Sequence, residues 1–263
     1  MVTDSVAPAA DTQWPEAVEV LNEEGRSPIV LVCEHASNYI PAEYADLGLP
    51  TSELTRHIAW DIGAADVTRT LSRLLDAPAF LATYSRLLLD LNRPLHVPAA
   101  IPIRSETTEV PGNVNLGPAE RERRAQRIFA PFHRRLGAHV ERRERTARDS
   151  VLIAIHSFTP VFLGKTRPWH AGVLFGDATR FGRAVIERLR SDPALNVEAN
   201  VPYGVSRDED YALIVHGDDR GHPAILIEIR NDLIAYRAGA DEWAERLAAV
   251  LADQPWRVSS RSR

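Results

Sequence analysis

Three hydrophobic runs in this chain each stop at a side chain able to do chemistry, and that repetition limits the folds open to it. Ile29–Val32 runs into Cys33-Glu34-His35, Val151–Ile155 into His156, and Ala224–Ile227 into Glu228-Ile229-Arg230. A fourth run, Leu87–Leu89, meets Asp90-Leu91-Asn92-Arg93. Short continuous apolar runs of this kind read as buried strands. If they are neighbours in one sheet, two imidazoles, several carboxylates and several guanidiniums converge at one rim, where open α/β sheets place their sites.

The segments between these runs supply helices. Thr51 or Ser52 can cap one that carries Leu54, Ile58, Ile62, Ala65 and Leu71 as far as Leu75, where Pro78 stops it. Phe80–Ala82 and Leu87–Leu89 are strand material. The segment from Pro94 to Pro118 has several prolines and glycines and little periodicity, the character of a rim loop or lid. Ala119 to about Ala147 is a long helix with Ile128, Phe129, Phe132, Leu136 and Val140 as its apolar positions, kinked or broken at Pro131. Ala171–Phe175 predicts a strand, Thr179–Arg190 a helix, Tyr211–His216 a further strand, and Asp241–Leu251 a closing helix. Alternation of strands and helices argues for a sheet covered on both faces. With 263 residues and no linker or repeat, one catalytic domain over residues 12–258 is expected, with flexible tails at 1–11 and 259–263.

Charge and cysteine usage exclude several functions. The net charge is -5, from 31 basic and 36 acidic residues, which does not suit a nucleic-acid partner. The densest basic stretch, Arg134 to Arg148, is interleaved with Glu141 and Glu144 and reads as a solvated helix face. The single cysteine, Cys33, lies within a buried run, and one cysteine excludes an internal disulfide and a thiolate-rich metal site. No apolar stretch approaches membrane-spanning length, and no export signal opens the chain, so a cytoplasmic location is the default and no membrane partner is expected.

Each candidate site residue has two readings. His35 and His156 suit zinc ligation, where two imidazoles and a carboxylate leave a fourth position for water, or they are strand-end hydrogen-bonders. Asp90 can hold the far nitrogen of a liganding histidine, or it pairs with Arg93 across a turn. Asn92 and Arg93 offer an amide and a fork for an anionic substrate. Glu228 at a dry strand end suits a general base, and the alternative is an ordinary ladder with Arg230, which period two places on the same face.

At these residues the chain resembles the N-formylglutamate amidohydrolase family. The resemblance rests on Cys33-Glu34-His35-Ala36-Ser37-Asn38-Tyr39-Ile40-Pro41, His57-Ile58-Ala59-Trp60-Asp61-Ile62-Gly63-Ala64, and Tyr84-Ser85-Arg86 through Asn92-Arg93-Pro94. Ile155-His156-Ser157-Phe158-Thr159-Pro160 and Ile227-Glu228-Ile229-Arg230-Asn231-Asp232 complete an ordered string spanning about residues 28 to 250. That family is similar in turn to zinc carboxypeptidases and aspartoacylase-like deacylases. The resemblance implies an α/β fold with three α/β/α layers and a mixed central sheet. It also implies one Zn²⁺ per chain (or another divalent metal), held in part by His35 and His156, with Asp90 behind the first histidine. Asn92 and Arg93 would meet a substrate carboxylate, and Glu228 would be the base. The implied activity is hydrolysis of the N-formyl or another small N-acyl amide of an acidic amino acid such as N-formyl-L-glutamate.

At one ligand the sequence departs from the carboxypeptidase pattern, because position 38 is asparagine where those enzymes have glutamate. An amide is a poor zinc ligand, so Asp61 is expected as the third donor, with Glu34 next and Asn38 left in a supporting position. Arg86, Arg93, Arg167, Arg230 and Arg104 are candidates for the substrate's charges or the developing oxyanion, with Catalytic duty falling on Glu228 and Arg93. Phe158, Trp169 and Phe175 could line a tight acyl pocket, and Ser157 and Thr159 could add polar contacts. Neither hydroxyl sits in a Gly-x-Ser-x-Gly elbow. Two alternatives stay open: the same chemistry on another N-acyl amino acid or short peptide, and a non-catalytic binder of a carboxylated metabolite. The partner in each case is a small anionic molecule, on a monomer or small homo-oligomer.

Overall fold

The structure, a computed structural model, describes residues 14–257; the tails expected at 1–11 and 259–263 lie outside them. Its strands are β1 (Val18–Leu21), β2 (Ile29–Cys33), β3 (Ala79–Ala82), β4 (Arg104–Ser105), β5 (Thr108–Glu109), β6 (Val151–Phe158), β7 (Val161–Phe162), β8 (Lys165–Thr166), β9 (Ala171–Leu174), β10 (Val197–Ala199) and β11 (Ala224–Arg230). Seven of them form one sheet in the order β1-β3-β2-β6-β11-β9-β10, while β4–β5 and β7–β8 are separate hairpins. β3, β2, β6 and β11 run parallel to one another, whereas β1 is antiparallel to β3 and β9 antiparallel to β11, so the sheet is mixed.

The helices are α1 (Thr51–Leu54), α2 (Ala64–Leu75), α3 (Pro118–Arg124), α4 (Ala130–Arg145), α5 (Thr179–Leu189), α6 (Ala212–His216) and α7 (Arg237–Ala252). Alternation along the strands decides which helices cover which face. Ile29, Leu31, Val151, Ile153, Ile155, Ile225 and Ile227 pack with Val67 and Leu71 of α2 and Trp243 and Leu247 of α7. Val30, Val32, Leu152, Ala154, Ala224 and Leu226 pack with Ile128, Phe132, Leu136 and Val140 on the opposite side. The result is three α/β/α layers. The next positions in the second series are Glu34, His156 and Glu228. One face of three adjacent strands thus changes from aliphatic to ionisable in a single step.

Several local expectations are corrected. The helix expected from Thr51 to Leu75 is two helices with turns between them, and Asp61 lies in the turn before α2 rather than on a helix. Gly63 at φ 81° starts α2, and a Cβ there would come within 2.1 Å of the Ile234 carbonyl oxygen. Leu87–Leu89 is a turn, with the Leu88 and Leu89 N–H groups donating to the Ser85 carbonyl. Tyr211–His216 contains α6 instead of a strand, because Asn92 Oδ1 accepts the N–H groups of Tyr211 and Ala212 and so opens a helix. The interruption expected at Pro131 is a turn of wider helix rather than a gap. A π-turn at Ala125–Phe129 widens the ladder just before the proline and absorbs the missing donor. β1 and β10, of 4 and 3 residues, are too short to carry a periodic signal. No helix among the described residues is long and apolar enough to cross a membrane.

Beneath the site, His133 and His216 form a buried pair. His133 Nε2 lies 2.9 Å from the Leu91 carbonyl and Nδ1 lies 3.1 Å from His216 Nε2. This network assigns His133 as an Nε2–H donor and His216 as the donor to His133, with both rings neutral. Burial, and then the partner His216, depress the pKa of His133 to about 3; burial, and then Arg220, depress that of His216 to about 4. In the unfolded chain both titrate near the ordinary histidine value, roughly 6.5. Their contribution to stability is therefore complete above that value and is lost as pH falls toward 4, because only the unfolded chain takes up the protons. With a chelator present throughout, urea unfolding at pH 6 and pH 5 is expected to show His216→Gln losing about 1 kcal/mol less per pH unit than the parent. Parallel pH dependences in the two proteins would rule out the neutral pair.

Candidate active site

The three ionisable strand ends are brought into one group by the turn that carries Asp61. The Asp61 N–H donates to the His35 carbonyl at 2.9 Å, which fixes the turn against the end of β2. Asp61 Oδ2 then lies 3.4 Å from His35 Nδ1 and 3.0 Å from His156 Nδ1, and it accepts the Ser157 N–H at 3.2 Å. His35, Asp61 and His156 are all buried, each offering one ligand atom, and those atoms lie within 4.8 Å of one another.

Each imidazole is held from behind by a separate carboxylate. Asp90 Oδ1 is 2.7 Å from His35 Nε2, and Glu34 Oε2 is 3.0 Å from His156 Nε2. With Nε2–H donated to these carboxylates, both Nδ1 lone pairs and the Asp61 oxygen face one another. Three acceptors meeting in a buried space repel unless a cation or protons lie among them. Burial opposes charge on His156, but Glu34 and Asp61 outweigh it and hold the ring well above its ordinary pKa. Burial likewise opposes the Asp61 carboxylate, yet His35 and His156 hold it well below the usual range. A two-histidine, one-carboxylate donor set with carboxylates behind both rings fits a divalent metal of the zinc type.

Asn38 lies apart from this group, its Nδ2 donating to the Leu54 carbonyl at 2.9 Å. Arg86 braces the cluster from the side. Its Nε and Nη2 donate to Asp90 Oδ2 at 3.1 and 2.8 Å, and its Nη1 donates to Asp61 Oδ1 at 3.2 Å. Burial opposes the Asp90 charge, but Arg86 and then His35 keep its carboxyl far below the usual range.

Glu228 stands level with His156 across the β11–β6 ladder. It is buried, and its Oε2 has no hydrogen-bond partner among the described residues. Burial pushes its carboxyl up to about 7, against the opposing pull of His156. It faces a cavity of about 280 Å³ that is also lined by the cluster, Arg86, Asn92, Arg93, Ser157, Phe158, Thr159 and Arg167.

The guanidiniums expected around a substrate differ in how far they are already neutralised. Arg86 is bound to two carboxylates. Arg93 Nη1 contacts Asp210 Oδ1 at 3.3 Å and the Glu209 carbonyl at 2.8 Å. Arg230 lies outside the cavity lining and is paired with Asp232, and Arg104 is paired with Glu109 on the surface. Arg167 is 8% exposed, lies over the rings of Phe162 and Tyr203 at 4.5 and 4.9 Å, and donates to the Tyr203 hydroxyl at 2.8 Å. Among the described residues no carboxylate lies within ion-pair distance of it. Trp169 and Phe175 are absent from the lining.

Residues not singled out from the sequence complete the wall. His57 lies within a motif already noted, and Glu106 reaches it at 3.5 Å from the turn of the β4–β5 hairpin. Tyr203, Glu209 and Asp210 come from the segment before α6, whose acidic run gave no periodic or spacing signal.

A three-layer α/β/α fold with a buried His/Asp/His group at the rim of its parallel strands defines a metal-dependent hydrolase. The sequence model of the N-formylglutamate amidohydrolase family matches residues 27–235, and the chain belongs to that family. Among solved structures it is similar to a gene product of Agrobacterium tumefaciens, at 37% identity over 90% of this chain and 94% of that one, with a TM-score of 0.87. It shares its fold with the N-formylglutamate amidohydrolase of Ralstonia eutropha JMP134, at 19% identity over 91% and 97% of the two chains, with a TM-score of 0.68. No curated protein matches it.

Metal analysis of purified variants tests the third donor. Asp61→Ala is expected to lose most of the bound divalent metal, whereas Asn38→Ala is expected to keep it. Full metal content in Asp61→Ala with loss in Asn38→Ala would transfer that role to position 38.

Proposed function

We propose that the protein hydrolyses the N-acyl amide of an acidic amino acid, with N-formyl-L-glutamate as the first candidate, releasing formate and the free amino acid. The reading takes residues 12–258 as one catalytic domain and one Zn²⁺ per chain as the cofactor. The observation that carries it is Glu228, a buried carboxylate with an unpartnered oxygen beside a metal-type donor set. A binding protein needs the guanidiniums but has no use for such a base.

His35, Asp61 and His156 would hold the metal, which would supply Lewis acidity to the acyl oxygen and to water. Asp90 and Glu34 fix the tautomers of the two imidazoles so that Nδ1 is the free face of each. Arg86 is a positioning residue, because its donors are directed at Asp61 and Asp90. Glu228 takes a proton from the attacking water and returns it to the amide nitrogen as the C–N bond breaks. A native pKa raised toward neutrality suits a group that must both accept and donate. Arg167, a guanidinium in an aromatic surround with no carboxylate beside it among the described residues, receives a substrate carboxylate. Arg93 and Asn92 are the candidates for the second carboxylate, while Arg230 is directed at Asp232 and is less suited to substrate.

Two variants test these roles. Glu228→Gln is expected to lose about 10²–10⁴-fold in kcat while keeping its metal and fold, the range for removal of a general base. Turnover near the parent value would require another base. Arg167→Met is expected to raise KM for N-formyl-L-glutamate with a smaller change in kcat, since it removes binding common to ground and transition states. An unchanged KM would move the anion site elsewhere.

A further inference from the structure

The anion-binding side of the cavity already contains a carboxylate of the protein's own. Asp210 Oδ1 sits against both Asn92 Nδ2, at 3.2 Å, and Arg93 Nη1, at 3.3 Å. Asp210 Oδ2 accepts the Ser206 N–H at 2.8 Å, and Asn92 Oδ1 accepts the N–H groups of Tyr211 and Ala212, both at 3.2 Å. Asn92 and Arg93 therefore grip the segment leading into α6 through a carboxylate that lines the same cavity as Glu228.

This grip differs from the other Arg–carboxylate contacts of the site. Arg86 meets Asp90 through two donors, at 2.8 and 3.1 Å. Arg93 meets Asp210 through one donor at a longer distance, and among the described residues no hydrogen bond is made by its Nε or Nη2. A free carboxylate could engage this guanidinium through two parallel bonds, the stronger geometry. Two further bonds hold the segment, from Arg93 Nη1 to the Glu209 carbonyl and from Arg167 to the Tyr203 hydroxyl, both at 2.8 Å. Tyr203, Gly204, Arg207, Asp208 and Glu209 are exposed, and Arg207 makes only surface ion pairs, with Asp177 and Asp219.

Charge balance makes the contact consequential. Arg86 is neutralised by Asp61 and Asp90, and Arg93 by Asp210. Arg167 is left as the one cavity-lining arginine without a carboxylate among the described residues. A substrate with one carboxylate can use Arg167 alone. A substrate with two meets its second guanidinium at Arg93, whose charge Asp210 already offsets.

We infer that Asp210 is an internal competitor for the Asn92–Arg93 clamp, displaced by the second carboxylate of a dicarboxylic substrate, and that it sets the affinity for such substrates. The inference rests on the proposed hydrolysis of N-acyl acidic amino acids. Displacement exchanges one carboxylate for another at Arg93, so the clamp remains charge-balanced while the Tyr203–Asp210 segment loses its side-chain anchor, with Tyr211 and Ala212 still held by Asn92 Oδ1. Ligand binding at this site thus loosens a loop, where binding ordinarily tightens one.

Hydrogen–deuterium exchange on the full-length, metal-loaded protein tests this, with glutarate as the dicarboxylate probe and chloride at equal ionic strength as the reference. Saturating glutarate is expected to speed amide exchange across 203–210 by about tenfold or more, as the segment loses the Asp210 anchor to Asn92 and Arg93. The isosteric Asp210→Asn variant is expected to exchange rapidly there without ligand. It is also expected to bind glutarate up to about tenfold more tightly, as removal of an occupant that fills the clamp most of the time requires. Slower or unchanged exchange in the parent, no glutarate binding, or equal or weaker binding by Asp210→Asn would overturn the inference. Turnover of N-formyl-L-glutamate on the same preparations separates it from the reading beneath it. Turnover with an unmoved segment sinks the competitor alone, and a released segment without turnover of any N-acyl amino acid sinks the hydrolase alone.

Discussion

The contact of one Asp61 oxygen with two imidazoles is the constraint on which the site depends. The oxygen lies within 3.4 Å of both Nδ1 atoms, in a space where none of the three residues is exposed. An arrangement of three acceptors is unfavourable by itself, since buried polar groups cost free energy unless paired. It persists because Asp90 and Glu34 hold the two Nε2 atoms and Arg86 holds the other Asp61 oxygen. The surrounding network leaves the three ligand atoms directed at one another, and a cation fits between them.

The fold serves this constraint with little conformational freedom. β2, β6 and β11 are neighbours in parallel ladders, so Glu34, His156 and Glu228 appear at one edge on one face. Hydrophobic layers on both sides hold these strands in place. The turn at Asp61 is held by a backbone bond to His35 and by Gly63, whose contact with Ile234 excludes a side chain. Behind Asn92 the neutral His133–His216 pair supports the Leu91 carbonyl, so the clamp rests on buried, uncharged hydrogen bonds.

The cavity has a rigid half and a lightly held half. The cluster, Glu228 and Arg86 belong to strand ends and packed turns. Arg93, Asp210 and Tyr203 meet through an exposed segment, and Glu106 comes from a hairpin turn. That division suits the proposed chemistry, because proton transfer demands fixed distances whereas substrate selection demands exchangeable partners.

Much of this was legible in the amino-acid sequence. Apolar runs leading to His35, His156 and Glu228 located the strands that carry the site, and period two put His156 and Glu228 on one face, because burial and strand pleat are local properties; His35 joins them only because β2 ends at Cys33. Ordered motifs from residue 33 to residue 232 carried the family. The two terminal strands and α6 were not legible, since 3 to 5 residues hold no periodic signal and α6 owes its start to Asn92, more than a hundred positions away. Nor could the sequence distinguish the arginines. Arg86, Arg93, Arg167 and Arg230 look equally available as residues, yet two carboxylates bind the first, Asp210 the second and Asp232 the last. Availability of a charge depends on distance through space, which the chain's order does not contain, and only the tertiary structure decided it.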